Sequence, residues 1–412
     1  MDVAQKISDN YQDDDWIFLY SGLDEKNSYL SLFPRKKIIC EDFSAAKKIL
    51  KDSKDRWFGY LSYEVAHDFE KFPKTKKSFI NLPRIYLVNF DLVFEFDHKK
   101  KKLVAIFRDK KLLEKVIKWT QKQAQIQKTK DLSKNYCAVH SNFTDPSYLK
   151  TISKIKKLIA RGDLYQTNLT RKFFGEFKQK QNQRSAFQTF LKLTKISPAN
   201  YSSFLKLGED FIISSSPELF FQIKNRKIIS RPIKGTAPRG SSSKLDHKNK
   251  LDLKNSLKER AENLMIVDLV RNDLARICKA GSVFVKKLFN ITTYKTIHHM
   301  SSEIHGELRD NASTLDALEV CFPAGSMTGA PKIKAMEIAA KNEKINRGIY
   351  SGAIGFIDQK SANFSVVIRT LILSGKKFEF QTGGAITFDS DPQKELEEIY
   401  SKAKALMAVV TN

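Results

Sequence analysis

A lysine and a glutamate at the ends of two predicted strands are the first candidates for chemistry in this sequence. Lys234 follows an apolar strand end and precedes Gly235, and Glu218 comes sixteen residues earlier, after another strand-like run. The short turn 224–226 joins the two predicted strands. A glycine at a strand end allows the backbone to approach something small. The sequence therefore places an amine and a carboxyl on neighbouring strands, as a candidate catalytic pair.

Two predicted helices each carry a Glu-x-x-Glu pattern. Glu259 and Glu262 lie on one of them, and Glu395 and Glu398 lie on the last helix of the chain. This spacing puts both carboxylates of a pair on one helix face. If the two helices meet, four oxygen ligands converge, and such ligands suit Mg²⁺. The alternative for either pair alone is a solvated acidic face.

Two glycine-rich stretches are candidates for anion binding through the backbone. Gly383 and Gly384 precede the start of the last predicted helix, where backbone N–H groups can contact an anion. The stretch 325–332 opens another helix, and Thr328 and Gly329 are its predicted contacts. It lacks the spacing of a phosphate-binding P-loop. A tight turn and a capped helix are the alternative interpretation of these stretches.

Two further polar residues lie in apolar surroundings. His299 belongs to an apolar stretch that is predicted to be helical, and a lone buried histidine is more often structural than catalytic. Arg369 follows the strand-like run 364–368, where an arginine is costly unless it meets an anion. Arg369 is therefore a candidate anion contact, whereas the local sequence leaves the role of His299 open.

The elements that must position these residues follow the pattern of a mixed α/β chain. The region 1–135 is predicted to be β-rich, the region 140–412 carries the candidate site, and the two are expected to form one compact unit. The polar residues 240–251 are predicted to form a flexible loop after Lys234. One long helix is predicted from 253 to 280.

Composition excludes several classes of protein. The chain has 412 residues, of which 41% are hydrophobic and 29% are charged, which is typical of a globular protein. Its apolar runs are too short to cross a membrane, and its N-terminus lacks the pattern of a signal peptide. Four scattered cysteines indicate neither a zinc site nor a disulfide framework, so a cytoplasmic location is expected.

The net charge of +26 makes nucleic-acid binding one interpretation of the sequence. However, the lysines are spread along the chain, and their densest cluster, Lys99 to Lys102, falls at a predicted hairpin tip. No RNA-binding aromatic motif or zinc finger accompanies them. A lysine-rich surface is therefore preferred to a nucleic-acid partner, and its positive field would attract a small anionic substrate.

Taken together, the motifs resemble those of one enzyme family, the chorismate-utilising enzymes. This family includes anthranilate synthase component I, aminodeoxychorismate synthase component I, and the isochorismate and salicylate synthases. The matching stretches are 216–218, 232–236, 265–273, 325–332, 347–352 and 389–392, followed by Glu395 and Glu398. The resemblance implies an α/β fold of the α+β type, like that of anthranilate synthase component I, with central packed antiparallel β-sheets and outer helices.

Lys234 resembles one branch of that family. The corresponding position is typically alanine in anthranilate, isochorismate and salicylate synthases, whereas a lysine resembles aminodeoxychorismate synthase component I. Ala275, Ala324 and Ala385 depart from the family pattern, which commonly has glycine there. The resemblance implies synthesis of 4-amino-4-deoxychorismate from chorismate and ammonia. Anthranilate synthase component I or another chorismate-utilising synthase is the alternative.

The resemblance also implies a role for each candidate residue. Lys234 attacks ring C2 of chorismate, Glu218 protonates the departing C4 hydroxyl, and His299 is the active-site histidine of the family. Mg²⁺ is the implied cofactor, and its implied ligands are Glu259, Glu262, Glu395 and Glu398. The implied substrate contacts are Thr236, Thr328, Gly329, Tyr350, Arg369, Gly383 and Gly384. Ser21 marks a candidate tryptophan pocket.

Further partners follow from the same resemblance. The chain shows no glutaminase nucleophile turn, so ammonia is expected from a separate glutamine amidotransferase subunit. It also shows no aminodeoxychorismate lyase segment, so a downstream lyase is expected to act on the product. The resulting expectation is a magnesium-dependent synthase of the 4-aminobenzoate and folate pathway, with no nucleic-acid or membrane partner.

Overall fold

The computed structural model describes residues 1–11, 14–21, 27–75, 78–121, 136–294 and 297–411. The boundary predicted between 135 and 140 adjoins residues 122–135, which lie outside the described residues. Directly after them, residues 136–141 form a strand. The described chain mixes strands and helices throughout.

Antiparallel strands form the centre of the molecule. Every strand pairing within the described residues is antiparallel. The predicted fold class, central antiparallel sheets with outer helices, is confirmed. The strands are β1 (Trp16–Tyr20), β2 (Asn27–Cys40), β3 (Trp57–Leu61), β4 (Ile85–Asp97), β5 (Lys102–Phe107), β6 (Tyr136–Ser141), β7 (Gln166–Phe177), β8 (Tyr201–Leu207), β9 (Asp210–Ser216), β10 (Leu219–Lys224), β11 (Lys227–Arg231), β12 (Ile233–Pro238), β13 (Phe284–Thr293), β14 (Ile297–Glu307), β15 (Gly329–Ala330), β16 (Ala353–Ile357), β17 (Ser361–Val366), β18 (Thr370–Ser374) and β19 (Lys377–Ile386).

Helices cover this sheet from outside. They are α1 (Asp2–Asn10), α2 (Phe43–Lys51), α3 (Lys110–Gln121), α4 (Asp145–Ala160), α5 (Gln183–Ile196), α6 (Ser243–Asn255), α7 (Leu257–Ala275), α8 (Thr314–Cys321), α9 (Lys332–Glu343) and α10 (Pro392–Thr411). Among these helices, none in the described part of the chain combines the length and the apolar character needed to cross a membrane.

The two helices with Glu-x-x-Glu patterns pack against different parts of the sheet. α7 contacts β12 and β14, and its buried residues Ile266, Val267 and Val270 join a core with α8. α10 contacts β19 and α4 through a second core. The predicted start of α10 is confirmed, since Asp391 accepts a hydrogen bond from the Lys394 N–H at 2.9 Å.

Strands from the first hundred residues join strands from the rest of the chain. β1 pairs with β8 from Trp16–Lys206 to Tyr20–Ser202, and β3 pairs with β16. The N-terminal strands therefore share backbone hydrogen bonds with strands of the later region.

The prediction of a flexible loop at 240–251 was wrong, because most of that segment forms α6. The Ser242 hydroxyl caps the helix by accepting a hydrogen bond from the Leu245 N–H at 3.3 Å. Its polar residues face solvent, and Leu253 is its buried residue within the described chain. The polar composition of an exposed helix therefore resembled that of a loop.

The prediction of one long helix from 253 to 280 was also wrong. The helix is interrupted at Ser256, whose extended backbone (φ −62°, ψ 113°) separates α6 from α7. The Ser256 hydroxyl then accepts a hydrogen bond from the Glu259 N–H at 3.3 Å and caps α7. A serine cap thus places the first glutamate pair in the first two turns of a new helix.

The helical prediction for His299 was wrong as well. His298 and His299 lie on β14, which pairs with β11, β12 and β13. β11 and β12 are distant from β14 in sequence, and packing against such partners decides strand formation more than local propensity does.

Candidate active site

Lys234 lies in a β-bulge of β12. Ile233 pairs with Ser301 and Thr236 with His299, so two residues of β12 face one residue of β14. Gly235 takes up the bulge with a φ of +91°, which favours glycine. A bulge reorients the side chain at that point, and here the lysine amine reaches Ser326, which lines a pocket together with Glu218.

The Lys234 amine and the Glu218 carboxyl share this pocket. Lys234 Nζ donates a hydrogen bond to the Ser326 carbonyl at 3.2 Å. Burial lowers the pKa of Lys234, although Glu262 opposes this shift. Burial raises the pKa of Glu218 to about 7, with Ser326 and Lys234 opposing. Burial therefore shifts the amine towards its neutral form and the carboxyl towards its protonated form, the states needed for a nucleophile and a general acid.

His299 is a buried imidazole held in its neutral form. Burial lowers its pKa to about 3, and the positive charges of Arg369 and Lys402 contribute to that shift. Neither ring nitrogen has a hydrogen-bond partner within the described residues. Tyr294 packs edge-on against the ring, with the centroids 5.5 Å apart. A neutral ring with both nitrogens available can donate to one polar group of a ligand and accept from another.

Arg369 brings a positive charge into the same region. It has a φ of +50° at the junction between β17 and β18, and its carbonyl accepts from the Ser215 N–H at 3.1 Å. Burial lowers the pKa of its guanidinium. In the described chain no carboxylate forms an ion pair with it, so an anionic ligand would offset the cost of its burial. The buried Tyr350 hydroxyl has its pKa raised by burial and stays protonated.

The four predicted metal ligands of α7 and α10 influence one another electrostatically. Burial raises the pKa of Glu262 to about 7, and the negative charges of Glu259 and Glu395 add to this shift. Burial likewise raises the pKa of Glu395, and Glu398 reinforces the effect. The negative charge of each carboxylate thus raises the pKa of others, both on its own helix and on the facing one. Their mutual repulsion creates a demand for positive charge at this point.

Two lysines supply countercharge to this cluster. Lys258 Nζ lies 3.4 Å from Glu395 and 3.8 Å from Glu262. Lys402 pairs with Glu398 and donates to the Gly383 carbonyl at 2.9 Å. The sequence analysis missed both lysines, although each stands four residues from a cluster glutamate, a spacing that indicates helical ion pairs.

Two glycines leave space beside the cluster. A Cβ at Gly235 would lie 2.9 Å from Glu259 Oε2, and a Cβ at Gly384 would lie 3.1 Å from Glu395 Oε2. The carboxylate oxygens fit Mg²⁺ chemically. In the described part of the chain, however, no three histidine, cysteine, aspartate or glutamate side chains are grouped closely enough to hold an ion. Magnesium binding therefore stays a prediction, in which the ion would displace the lysine ammonium groups.

One protein family matches most of the chain. The family described as chorismate binding enzyme matches residues 22–408. This chain belongs to that family. The motifs that resembled the chorismate-utilising enzymes therefore lie in a true member.

Relatives within the family carry two different names at similar identity. Anthranilate synthase component 1 of Aquifex aeolicus (strain VF5) is 35% identical over 371 residues, covering 85% of this chain and 73% of the relative. Aminodeoxychorismate synthase component 1 of Bacillus subtilis (strain 168) is 33% identical over 359 residues, covering 84% and 75%. The sequence similarity therefore assigns the family but does not distinguish between these two activities.

Solved structures agree with this assignment. Anthranilate synthase component I from Streptococcus pneumoniae TIGR4 superposes with a TM-score of 0.80 at 26% identity, covering 93% of both chains. The menaquinone-specific isochorismate synthase from Escherichia coli has a TM-score of 0.77 at 17% identity, covering 98% of this chain and 90% of the other, and shows the shared fold.

Three other predicted substrate contacts, Thr328, Gly329 and Thr236, lie next to backbone groups or residues of neighbouring elements. The Thr328 hydroxyl donates to the Gly325 carbonyl at 3.1 Å, and its oxygen can still accept. Gly329 has a φ of +144°, and a Cβ there would lie 2.2 Å from the Gln166 carbonyl, so strand pairing requires this glycine. Thr236 is exposed beside His299. Their substrate contacts stay predictions.

Ser21, the predicted mark of a tryptophan pocket, lies at the end of β1. It is buried, and its N–H donates to the Ser28 hydroxyl at 2.9 Å. Residues 22–26, which follow it, lie outside the described residues. Tryptophan binding at this place stays a prediction.

We expect Gly384→Ala to raise the Mg²⁺ concentration needed for half-maximal activity by about tenfold. The added methyl group would press on the Glu395 carboxylate and shift it from the cluster. The measurement is chorismate consumption as a function of Mg²⁺ concentration. Gly375→Ala is the control for replacing a glycine away from the glutamates. Its Cβ would meet open space, and although alanine is strained at its φ of +58°, the Mg²⁺ requirement should not change. An unchanged Mg²⁺ requirement in Gly384→Ala would count against a metal site at the four glutamates.

Proposed function

We propose that this chain synthesises 4-amino-4-deoxychorismate from chorismate and ammonia. The observation that carries the proposal is the buried Lys234 amine with a lowered pKa, next to Glu218 with a pKa raised to about 7. A lysine that is neutral near physiological pH is a nucleophile. Relatives named aminodeoxychorismate synthase support the same activity.

The first half of the proposed reaction joins Lys234 to the substrate. The neutral amine forms a C–N bond at ring C2. Both ring double bonds shift, from C1=C2 to C1=C6 and from C5=C6 to C4=C5, and the bond from C4 to the hydroxyl oxygen breaks. Glu218 gives its proton to that oxygen, which leaves as water. The enzyme then holds a secondary ammonium between Lys234 and C2, and a Glu218 carboxylate.

The second half of the reaction releases the lysine. Ammonia forms a C–N bond at C4, both ring double bonds shift back, and the bond between C2 and Lys234 breaks, which returns the lysine as a neutral amine. The new C4 ammonium passes a proton to Glu218. Chorismate and ammonia are thus converted to aminodeoxychorismate and water, and both catalytic groups regain their starting states.

Several residues would bind the dianionic substrate. Arg369 would pair with the enolpyruvyl carboxylate, together with the Tyr350 hydroxyl and the backbone near Gly384. The neutral His299 ring would bind a polar group of the substrate, and Thr328 would contact the ring carboxylate. The four glutamates would hold Mg²⁺, whose charge would neutralise that carboxylate and draw electron density from the ring.

Ammonia supply and product use extend the proposal. A separate glutamine amidotransferase subunit would deliver ammonia in the cytoplasm, and a lyase would convert the product to 4-aminobenzoate for folate synthesis. A second candidate function is that of anthranilate synthase component 1, because relatives with that name are as similar to this chain.

The test is to identify the product formed from chorismate, Mg²⁺ and ammonium by the intact chain. We expect a product that yields 4-aminobenzoate only after aminodeoxychorismate lyase is added. Direct release of fluorescent anthranilate would overturn the named function and favour the second candidate. Absence of turnover together with nucleic-acid binding that weakens steeply with salt would favour a binding protein instead.

A further inference from the structure

An aspartate on α6 connects three elements around the candidate site. Asp246 accepts hydrogen bonds from Arg239, from Nε at 2.6 Å and from Nη2 at 3.0 Å. Its Oδ1 also accepts from the Gly240 N–H at 2.9 Å and lies 3.0 Å from His298 Nε2. Arg239 and Gly240 directly follow β12, and His298 lies on β14. One carboxylate therefore joins α6 to the strands of the proposed nucleophile and the active-site histidine.

The same contacts extend to the surroundings of His299. The neighbouring His298 has its Nδ1 2.9 Å from Thr293 Oγ1 on β13. Arg239 Nη1 donates to the Tyr294 carbonyl at 2.7 Å, and the Tyr294 ring packs against His299. Arg239 is thus bound both to Asp246 and to the backbone that carries the aromatic neighbour of His299.

Little apolar surface holds α6 in place. Within the described chain Leu253 is its buried residue, and Leu253 Cδ1 lies 3.1 Å from where a Cβ of Gly235 would be. Leu245 and Leu251 are exposed, and the other residues of the helix are polar and rich in lysine. Helices in proteins depend on tertiary contacts for most of their stability, so the contacts of Asp246 carry a large share of the docking of α6.

We propose that Asp246 is a positioning residue, which clamps α6, β12 and β14 together and thereby holds Lys234 and His299 in their productive arrangement. The inference rests on the proposed function only in taking Lys234 as the reacting group. Asparagine cannot replace the carboxylate, because its NH₂ group would face an N–H donor of Arg239 or His298.

The test is the rate of chorismate consumption by Asp246→Asn. We expect kcat to fall about 10- to 100-fold, because small displacements of reacting groups cost rates of this order, while KM changes by less. We also expect trypsin to cleave faster at Lys244, Lys248 and Lys250 on the loosened helix. Asp252→Asn on the same helix is the matched control. Asp252 is exposed and forms no hydrogen bond or ion pair within the described residues, so its replacement should change neither measurement.

A second variant changes Arg239, the partner of Asp246 in this set of contacts. Arg239→Gln should lower kcat similarly, and the double variant should lose little more, because both changes break the same contacts. A kcat for Asp246→Asn within twofold of the unmodified chain would overturn the proposal. So would a loss of rate that is fully explained by the unfolded fraction measured by circular dichroism. If the unmodified chain makes anthranilate, the proposed function fails, but the ratio of chorismate consumption rates still tests the clamp.

Discussion

Replacement of Lys234 by alanine is expected to lower the rate of aminodeoxychorismate formation by about 1,000-fold or more. The substitution removes the amine that forms the bond to ring C2 in the proposed reaction. The measurement is product formation from chorismate, Mg²⁺ and ammonium. Lys234→Arg should lose as much activity, because it keeps the positive charge but not a neutral amine.

Lys244→Ala is the control for this substitution, since Lys244 is exposed on α6. Its rate should match that of the unmodified chain. Omitting ammonia provides a direct readout, because the intact chain should then accumulate a covalent adduct whose mass is that of chorismate less one water. If Lys234→Ala retained a rate within tenfold of the unmodified chain, or still formed the adduct, Lys234 would not be the nucleophile.

Replacement of Glu218 by glutamine is expected to lower kcat by about 100- to 10,000-fold, the range in which general acids contribute. The amide has the shape of the carboxyl but cannot give a proton to the departing hydroxyl. The measurement is kcat at saturating chorismate and ammonium. Glu397→Gln on the exposed face of α10 is the control and should leave the rate unchanged.

The pH dependence of kcat adds a second test of Glu218. Its pKa is raised to about 7, so the protonated acid predominates below pH 7 and is lost above it. The rate of the unmodified chain should therefore fall by about tenfold per pH unit above that value, once the proton transfer limits the rate. The residual rate of Glu218→Gln should lack this decline. A decline that persisted in the variant would assign it to another group.

Lys234 should affect the pH dependence of kcat in the opposite direction, at the low-pH side of the profile. Burial lowers the pKa of the lysine, and activity should rise with pH as the neutral amine forms. Because Lys234 and Glu218 interact, the apparent pKa values read from the rising and the falling side of the pH profile describe the pair together.

The sequence by itself determined the family and supplied the candidate site residues. Lys234 with Gly235, the two Glu-x-x-Glu pairs and Arg369 are recognisable because each is a local pattern of residue types and spacings. The N-cap of α10 at Asp391 could be predicted for the same reason, since a cap depends on neighbours within a few residues.

Only the tertiary structure decided how those residues act. Local sequence predicted a helix for His299 and a loop for most of α6. However, β14 pairs with the distant strands β11 and β12, and Asp246 joins α6 to residues outside the helix. The contact between Lys258 and Glu395 and the bulge at Lys234 likewise arise between elements far apart in the chain. The pKa values of Lys234 and Glu218 follow from burial, because removing water from a charged group is a property of the folded pocket and of no single stretch of sequence.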